Sequence, residues 1–556
     1  MSHSHASRVV LMLLGVGLLA SSACHRDASA GGGTVVIAVA ADADNLLPPF
    51  YSGTQARALS ETLFDKLAET GPDLGTAGDV SFQPRLANRW EWSRDSLRIT
   101  MHLDPRARWH DGRPVVAGDV RFAFAVYADP AASSPRRAEL VEAIDSVSVD
   151  DSLTCIIWYR HRSLEQFYTL VSTLVPLPEH LLRSVPHDSL RSSAFAGKPV
   201  GSGPFRFVNW EKKQRIEVAA VDGFYRGRPK LDRVIWVISP TMSASVKQRE
   251  AGDADFMDTL PADDAADVAK RPDLRLLYGP GFDYNFLLFN LHDGATDRPH
   301  AVLGDVALRR ALATGLDRQA MVRSVLDTAG RVLLGPFVRA QWSADTTVAQ
   351  IPFDASAASR LLDSLGWRVG PDGTRTRRGT ALAFTLLAPS SSKRLSRFAV
   401  LIQEELRQLG AQVEVNGVDF ASLADHLVKR QFDAAVIGFT AGPSPSGSRQ
   451  AWSGATGRSP GVFNAGRYAS AVTDAHLDSA VAATSLSAAR AHYRAAYQRL
   501  VDDVPAVWLY ESRSVVGVNN RVRTGALRKG AWWLGLDAWS IAPGGHLPRD
   551  AAAPKP

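Results

Sequence analysis

Hydrophobic and polar residues alternate most regularly in residues 97–103, where four apolar side chains are separated by polar ones. This period of two predicts a strand with one buried face. Asp111-Gly112 then supplies the dipeptide that a tight turn requires. Apolar residues recur at helical spacing over 120–127, with Asp119 just before them. The segment therefore predicts a strand, a turn and a helix that has one buried stripe and an acidic first turn.

The same two periods divide the rest of the chain into an α/β pattern. We expect further strands at 34–40, 215–219, 233–238, 284–290, 413–415 and 506–510. We expect further helices at 55–68, 305–316, 321–326, 401–409 and 493–504. At 556 residues, the chain is long enough for two or three domains.

The N-terminus follows a different pattern. Arg8 is the only charged residue before an apolar run at 9–20, and Ser21, Ser22 and Ala23 lead to Cys24. This run is too short to span a bilayer, so it predicts an export signal over residues 1–23. As a lipobox cysteine, Cys24 would be diacylated and would hold the protein on the membrane. As an ordinary cysteine, it would be lost or left inert.

Composition and charge exclude several classes of protein. The second of the two cysteines, Cys155, lies in an apolar strand-like segment, where a small buried side chain is expected. A disulfide between the leader junction and an interior strand is not expected. The net charge is +6, but basic residues are scattered and no basic stripe with interleaved aromatic residues occurs. We therefore expect no nucleic-acid partner.

Motifs that would indicate an enzyme or a metal centre are missing or out of context. The sequence holds no HExxH, Walker loop or CxxC, and in its GxSxG match Pro460 follows the serine and has no N–H for an oxyanion hole. His110-Asp111 and His292-Asp293 lie in predicted turns, where a structural role is expected. The other histidines are dispersed. We therefore expect no catalytic residue, no metal site and no cofactor.

Five segments carry recognisable motifs, which are WHDG at 109–112 with Asp119-Val120, PVGSGPF at 199–205, DGFYRGRP at 222–229, DVALRRAL with GLDR at 305–318, and FDASAASRLL with GW at 353–367. In this order they resemble the family 5 solute-binding proteins of bacterial ABC importers, the group that binds oligopeptides, dipeptides and nickel. The resemblance extends from about Thr34 to Val522.

This resemblance implies an α/β, two-lobed periplasmic-binding-protein fold (class II) of the large three-subdomain type, with a two-strand hinge between the lobes. Together with the small-residue stretches near both ends, it implies the following boundaries: signal peptide 1–23, tether 24–33, lobe I 34–72, accessory subdomain of lobe I 73–198, lobe I again 199–283, lobe II 284–505, return to lobe I 506–548, and a disordered tail 549–556.

A ligand cleft between the lobes is also implied, with aromatic walls and backbone polar groups. Candidate contacts come from segments that face this cleft in the family. They are Tyr51, Phe282, Tyr284, Phe439, Thr440, Gly442, Trp452 and Tyr510.

One position departs from the peptide-binding members of the family. In those proteins an aspartate in the corresponding segment pairs with the α-ammonium group of the peptide, and here the matching residue is Gly442. An ammonium group buried without a counter-charge costs several kcal/mol. Either another carboxylate replaces the aspartate, or the ligand lacks a free amine.

The resemblance predicts the extracytoplasmic substrate-binding component of an ABC importer. It would capture a peptide or peptide-like solute, close, and deliver the solute to permease subunits, as a monomer anchored to the cytoplasmic membrane through a lipid on Cys24. The alternative ligand is a non-peptide solute, such as an oligosaccharide, an opine-like compound or a metal chelate. The alternative classes are a periplasmic sensor or chaperone module and, as an enzyme, a hydrolase.

Overall fold

The structure is a computed structural model that describes residues 32–39, 41–239, 253–258, 260, 265, 268–294, 296, 298–459, 461–528 and 530–551. The predicted signal peptide, Cys24 and most of the predicted tether lie outside these residues.

Strands occur throughout the described chain. In chain order they are β1 (Thr34–Val39), β2 (Ala68–Thr70), β3 (Phe82–Pro84), β4 (Ala87–Trp92), β5 (Arg98–Leu103), β6 (Ile144–Val149), β7 (Thr154–Tyr159), β8 (Phe205–Glu211), β9 (Arg215–Ala220), β10 (Arg233–Ile238), β11 (Phe256–Met257), β12 (Leu274–Phe289), β13 (Gly330–Val332), β14 (Arg368–Val369), β15 (Arg375–Arg377), β16 (Thr380–Ala381), β17 (Ala383–Pro389), β18 (Gln412–Val418), β19 (Ala434–Thr440), β20 (Ala506–Asn519), β21 (Val522–Arg523) and β22 (Ser540–Ile541).

Helices connect most of these strands. They are α1 (Thr54–Leu63), α2 (Ala117–Ala128), α3 (Arg137–Ala143), α4 (Gln166–Thr173), α5 (Glu179–Leu182), α6 (Ala194–Gly197), α7 (Val306–Thr314), α8 (Arg318–Leu326), α9 (Ala355–Ser364), α10 (Lys393–Gln408), α11 (Phe420–Lys429), α12 (Gly447–Trp452), α13 (Gly454–Arg458), α14 (Ala471–Ala482) and α15 (Leu486–Asp503). Short 3-10 turns cover Pro130–Ala132, His187–Ser192, Asp327–Ala329, Trp532–Ala538 and Pro548–Ala551. Within the described residues, no helix combines the length and hydrophobicity needed to cross a bilayer.

An 11-stranded sheet runs through the described chain in the order β18-β17-β19-β12-β20-β11-β1-β10-β9-β8, with β13 also paired to β20. Near its middle, β12 and β20 pair antiparallel. They contain residues 284–289 of the predicted strand 284–290 and all of the predicted strand 506–510, the two crossing strands at which the predicted boundaries enter and leave lobe II. Their register shifts between Pro280 and Tyr284. Residues of β12 after the shift also pair with β19, from Asp283 to Phe289. Since a bulge bends a strand locally, β12 passes from one half of the sheet to the other at this shift.

Three large hydrophobic cores flank this sheet. Core I surrounds Trp109 and Trp236, core II surrounds the residues of α7 to α10, and core III surrounds Trp452. Along β12, Leu287 enters core II and Phe286 enters core III. Successive side chains of a strand point to opposite faces, so the apolar run of β12 is buried on both sides.

The most regular segment of the sequence folds as its pattern predicts. In β5, Ile99, Met101 and Leu103 are buried, while Thr100 and His102 between them are partly exposed. The turn closes when the N–H of Gly112 donates to the carbonyl of Trp109 at 2.8 Å. In α2, the Asp119 carboxylate accepts the N–H of Val116 at 2.9 Å. The predicted strand, turn and acidic first turn are therefore confirmed.

Cys155 lies on β7, in a second sheet with the order β4-β5-β7-β6. Its side chain is fully buried among apolar residues, and burial raises the pKa of the thiol to about 12. The residue behaves as the small buried hydrophobic group that the sequence predicts.

His110 has the structural role expected from its position, but its partners come from a distant turn. The N–H of Gly201 donates to Nδ1 at 3.1 Å, so Nδ1 is an acceptor and Nε2–H donates to the carbonyl of Gly203 at 3.0 Å. Burial lowers the pKa of His110 to about 4. The neutral ring joins the WHDG turn at 109–112 to the PVGSGPF segment at 199–205.

Stability should therefore fall as the pH drops through the range between the two pKa values of His110, 6.5 unfolded and about 4 folded. In this range the unfolded chain binds a proton that the folded chain does not bind. We expect a loss of up to about 3 kcal/mol from this group. Urea unfolding at pH 7 and pH 4 should show a larger loss for the wild type than for His110→Gln. An equal loss in both proteins would contradict this assignment.

The C-terminus is ordered further than its composition predicts. Fraying is expected from residue 549, but Pro548–Ala551 form a 3-10 turn. Asp550 accepts the N–H of Thr34 at 2.7 Å and pairs with Arg521 at 2.9 Å. These partners lie far away in the sequence, so a tail of small and polar residues gives no sign of them. The last five residues lie outside the described range.

Candidate functional site

A cavity of about 150 Å³ lies between core I and core III. Its lining residues come from segments 54–74, 168–172, 440–443 and 530–534, together with Phe282. Segments 54–74 and 168–172 precede β12 in the chain, segment 440–443 lies between β12 and β20, and segment 530–534 follows β20. The cavity therefore has walls from both halves of the protein.

Helix α1 supplies part of the first wall. Leu59 and Leu63 are four residues apart and are buried in core I. Arg57 and Glu61 have the same spacing on another face, and Arg57 Nε donates to Glu61 Oε1 at 2.9 Å. Since side chains four residues apart are neighbours on a helix, the sequence of α1 fixes this ion pair locally.

Lys66 joins this pair because α1 ends at Leu63, earlier than the sequence predicts. Phe64 has an extended backbone, with φ −117° and ψ 126°, and turns the chain away from the helix. The Nζ atom of Lys66 then donates to Glu61 Oε1 at 2.6 Å. Trp533 Nε1 donates to the other oxygen of Glu61 at 2.7 Å.

Glu61 is held ionised by these neighbours. Burial alone would raise the pKa of Glu61, but the charges of Arg57 and Lys66 hold it well below its usual range. The Glu61 charge raises the pKa of Arg57 in turn, and burial lowers the pKa of Lys66. One buried carboxylate is thus shared by two basic side chains on the cavity wall.

Glu69 also faces the cavity, but its charge is already neutralised. One of its oxygens pairs with Arg85 at 2.6 Å, and the other accepts a hydrogen bond from Arg528. Arg528 also donates to the carbonyl of Thr70 at 2.8 Å. Glu69 is therefore not available as a counter-charge for a cationic ligand.

The described residues that line the opposite wall are uncharged. Phe282 of β12 lies beside residues 440–443, which form the end of β19 and the loop after it. The carbonyl of Gly442 accepts a hydrogen bond from Gln341 Nε2 at 3.0 Å. A Cβ atom added at Gly442 would meet nothing closer than the backbone nitrogen of Ser444 at 4.0 Å, and no left-handed φ requires glycine there. The position would accept a side chain, so its lack of a carboxylate is not imposed by space.

Glu165, at the N-terminus of α4, connects the two sides of the cavity. It accepts hydrogen bonds from Thr76 Oγ1, from Trp342 Nε1 at 3.1 Å and from Ser444 Oγ at 2.6 Å. Burial raises the pKa of Glu165, and these hydrogen bonds oppose the rise. Trp342 and Ser444 lie beyond β12 in the chain, so this carboxylate bridges the two halves of the molecule.

Two further contacts join the same halves. The N–H of Leu164 donates to the carbonyl of Ala483 at 2.9 Å. Leu74 is buried in core III, away from the rest of its own segment. The two halves are therefore closed onto each other in this structure.

The structure brings three of the candidate ligand contacts to the cavity. Phe282, Thr440 and Gly442 line it. Thr440 Oγ1 donates to Asp283 at 2.5 Å, so its hydroxyl is already partnered.

Three other candidates lie behind this wall, in and against core III. Tyr284 and Phe439 have ring centroids 6.0 Å apart, and Trp452 packs 5.3 Å from Phe286. These rings support the cavity wall rather than line it.

The last two candidates lie elsewhere. Arg136 covers the ring of Tyr51 at 4.5 Å within core I. Tyr510 stacks on Phe398 at 4.6 Å in core II, where burial raises its pKa to about 12. In the β12/β20 pairing, Leu509 is left without a partner, so this bulge turns Tyr510 toward core II instead of the cavity.

Reasoning from the sequence missed the charged residues of the site. The Arg57–Glu61 spacing is a recognisable helical pair, although such pairs are usually solvated. Lys66 and Glu165 have no local pattern that distinguishes them from surface residues. Their partners are set by where α1 ends and by the approach of distant segments.

A candidate metal centre is not found among the described residues, where no three His, Cys, Asp or Glu side chains form a suitable group. His476 and His492 have Nδ1 atoms 3.2 Å apart but belong to no larger cluster. The described cavity therefore offers ion pairing, hydrogen bonding and apolar contact.

Residues 81–460 match the profile of the bacterial extracellular solute-binding proteins, family 5. This match covers more than half of the chain, so the chain belongs to this family of extracytoplasmic proteins, as its motifs predict. The oligopeptide-binding protein AppA of Bacillus subtilis is 27% identical over 427 residues, which cover 74% of this chain and 75% of AppA.

Solved structures agree with the predicted fold. The AppA structure in complex with a nonapeptide has a TM-score of 0.75 and is 24% identical, covering 92% of this chain and 100% of that one. NikZ from Campylobacter jejuni, in complex with Ni(L-His), has a TM-score of 0.78 and is 23% identical, covering 91% and 99%. The fold is that of the periplasmic binding proteins.

Proposed function

We propose that this protein is the extracytoplasmic substrate-binding component of an ABC importer and that it captures a peptide or peptide-like solute. The observation that carries the proposal is the cavity whose walls come from both halves of a family 5 chain. Solute would bind between the halves, and the closed protein would deliver it to permease subunits. No bond is made or broken in this cycle.

The β12/β20 pair supports a hinge between lobe I, with its accessory subdomain, and lobe II. The strands are continuous across the sheet, and the register shift near Pro280 is a place where a few backbone torsions would change. Glu165 would then favour the closed state, since its partners Trp342 and Ser444 come from the other lobe. Closure in the presence of solute is a shift of population toward this state.

The size of the cavity favours a second candidate, a small non-peptide solute. Cavities of about 150 Å³ hold one molecule the size of benzene. Typical ligand sites enclose about 300–1,000 Å³. The closed cavity thus fits one amino-acid side chain or a compact solute, and a longer peptide would need a wider closed form.

The predicted export signal and Cys24 support a lipid anchor at the cytoplasmic membrane. Cys24→Ser should move the protein from the membrane fraction to the soluble periplasmic fraction, because stable attachment takes two or more acyl chains and Cys24 is the residue that would carry them. The wild type and Cys155→Ser should both stay with the membrane. An unchanged distribution of Cys24→Ser would show that this residue is not lipidated.

Native mass spectrometry tests the proposed function without knowledge of the ligand. Protein purified without denaturation should carry an added mass that is lost after unfolding and refolding. The refolded protein should regain that mass when the released solute is returned. The proposal fails if neither preparation carries added mass and the refolded protein binds no member of a tripeptide pool.

A further inference from the structure

The charged residues of the cavity wall do not balance one another. Arg57 and Lys66 both donate to a single oxygen of Glu61, at 2.9 and 2.6 Å. Glu69, the other carboxylate nearby, has two arginine partners of its own. Four basic side chains therefore surround two carboxylates, and the described wall carries an excess of positive charge.

Both cations retain donor capacity beyond Glu61. An ammonium group has three N–H donors and a guanidinium five. In the described residues, the Lys66 ammonium donates once, to Glu61, and the Arg57 guanidinium donates through Nε. The remaining donors belong to residues that line the cavity. A buried cation is stabilised when more of its donors meet an anion.

Among the described residues that line the opposite wall, no carboxylate competes for these donors. The opposite wall is made of Phe282 and residues 440–443, which are uncharged. Gly442 stands where an acidic side chain would fit. Lys66 itself is 8% exposed, so an anion that reaches it is largely removed from water.

We propose that Arg57 and Lys66 form an anion subsite that binds a carboxylate of the solute, an inference that rests on the proposed function. In a peptide or peptide-like solute, a carboxylate is the anionic group present. The carboxylate would accept hydrogen bonds from Arg57 and Lys66 on the lobe I wall. The rest of the solute would lie against Phe282 and residues 440–443. This subsite would prefer a negatively charged group, whereas a site that binds a free amine prefers a positively charged one.

The test compares tripeptide pools in four forms: unmodified, N-acetylated, C-amidated, and blocked at both ends. Binding to the refolded protein is measured by native mass spectrometry with mass-labelled competitors. The wild type should prefer acids over amides by about 30-fold or more. N-acetylation should change binding by less than about 3-fold, since the described lining residues include no unpaired carboxylate.

Variants test whether Arg57 and Lys66 cause the preference for acids over amides. Lys66→Met, and the double variant with Arg57→Met, should lose most of the preference for acids, whereas Arg57→Lys should retain most of it. Arg89→Met removes one exposed positive charge and should leave the preference unchanged. Thermal unfolding of each variant checks that it is folded, and the comparison in the wild type requires no variant.

The outcomes separate this inference from the proposed function. Equal binding of acids and amides by the wild type would overturn the subsite and leave the proposed function standing. A preference for acids that persists in folded Lys66→Met and in the double variant would place the carboxylate elsewhere and also overturn it. Binding of no form in any pool, by protein that also retains no solute, would overturn the proposed function and the inference together.

Discussion

Replacing Glu165 by alanine is expected to weaken solute retention by about 2–4 kcal/mol, or about 30- to 700-fold in Kd. This carboxylate accepts three hydrogen bonds, two of them from Trp342 and Ser444 on the other side of the cavity. Because Glu165 is not among the lining residues, its loss acts on closure and not on contact with the solute. The dissociation rate of the released solute should rise, while association changes little.

Two variants accompany this measurement. Ser444→Ala removes one of the three hydrogen bonds and should have a smaller effect of about 1 kcal/mol. Asp188→Ala removes an exposed carboxylate from the same accessory region and should have none. A dissociation rate in folded Glu165→Ala equal to that of the wild type would show that Glu165 does not hold the closed state.

Replacing Asp255 by alanine should lower the free energy of unfolding by about 3–5 kcal/mol, because it removes one partner of a buried ion pair. Asp255 receives two hydrogen bonds from Arg521, at 2.6 and 2.8 Å. It also accepts the N–H of Val36 at 2.9 Å and pairs with Arg549 at 2.7 Å. Without it, the guanidinium of Arg521 loses its closest counter-charge while its side chain is 7% exposed.

Urea unfolding checks this value, with Asp253→Ala as the matched control. Asp253 lies two residues earlier and is exposed. Its loss should change stability by less than about 0.5 kcal/mol. If the two variants lost the same amount, the network around Asp255 would not contribute as proposed.

The fold was predictable wherever burial follows a local period. The strand at β5, its turn and α2 are specified by residues within 97–127, and the family motifs extend this to the whole fold. The two crossing strands were recognisable as apolar runs, since β12 after its bulge is buried on both faces. The full lengths of these two strands could not be predicted, because the remaining residues of β12 alternate less clearly between buried and exposed positions.

The candidate site was only partly predictable, and the reasons are tertiary. Phe282, Thr440 and Gly442 line the cavity because they lie on or just after the central strands. Tyr510 is turned away by one unpaired residue in β20, which no periodicity reveals. Lys66 reaches the cavity because α1 ends early, although Leu67 continues the four-residue spacing and is also buried.

The uncharged Gly442 and the two cations Arg57 and Lys66 both favour a ligand with a negative charge. The resemblance to the peptide-binding members of the family implies that Gly442 stands where they carry an aspartate, and Arg57 and Lys66 lie on the opposite wall of the cavity. A free ammonium group would enter this cavity at a cost, whereas a carboxylate would accept hydrogen bonds from the buried Lys66 and the partly exposed Arg57. The proposed ligand is therefore defined by its charge before its identity is known.

Small-angle scattering tests the central claim, that two lobes close on solute by rotation about β12 and β20. Protein freed of solute by unfolding and refolding is measured alone and with the solute released from the native preparation. The radius of gyration should decrease when solute binds, and hydrogen exchange should slow around residues 279–285 and 509–513. An identical radius in both states, with solute shown to be bound by native mass spectrometry, would contradict closure about this strand pair.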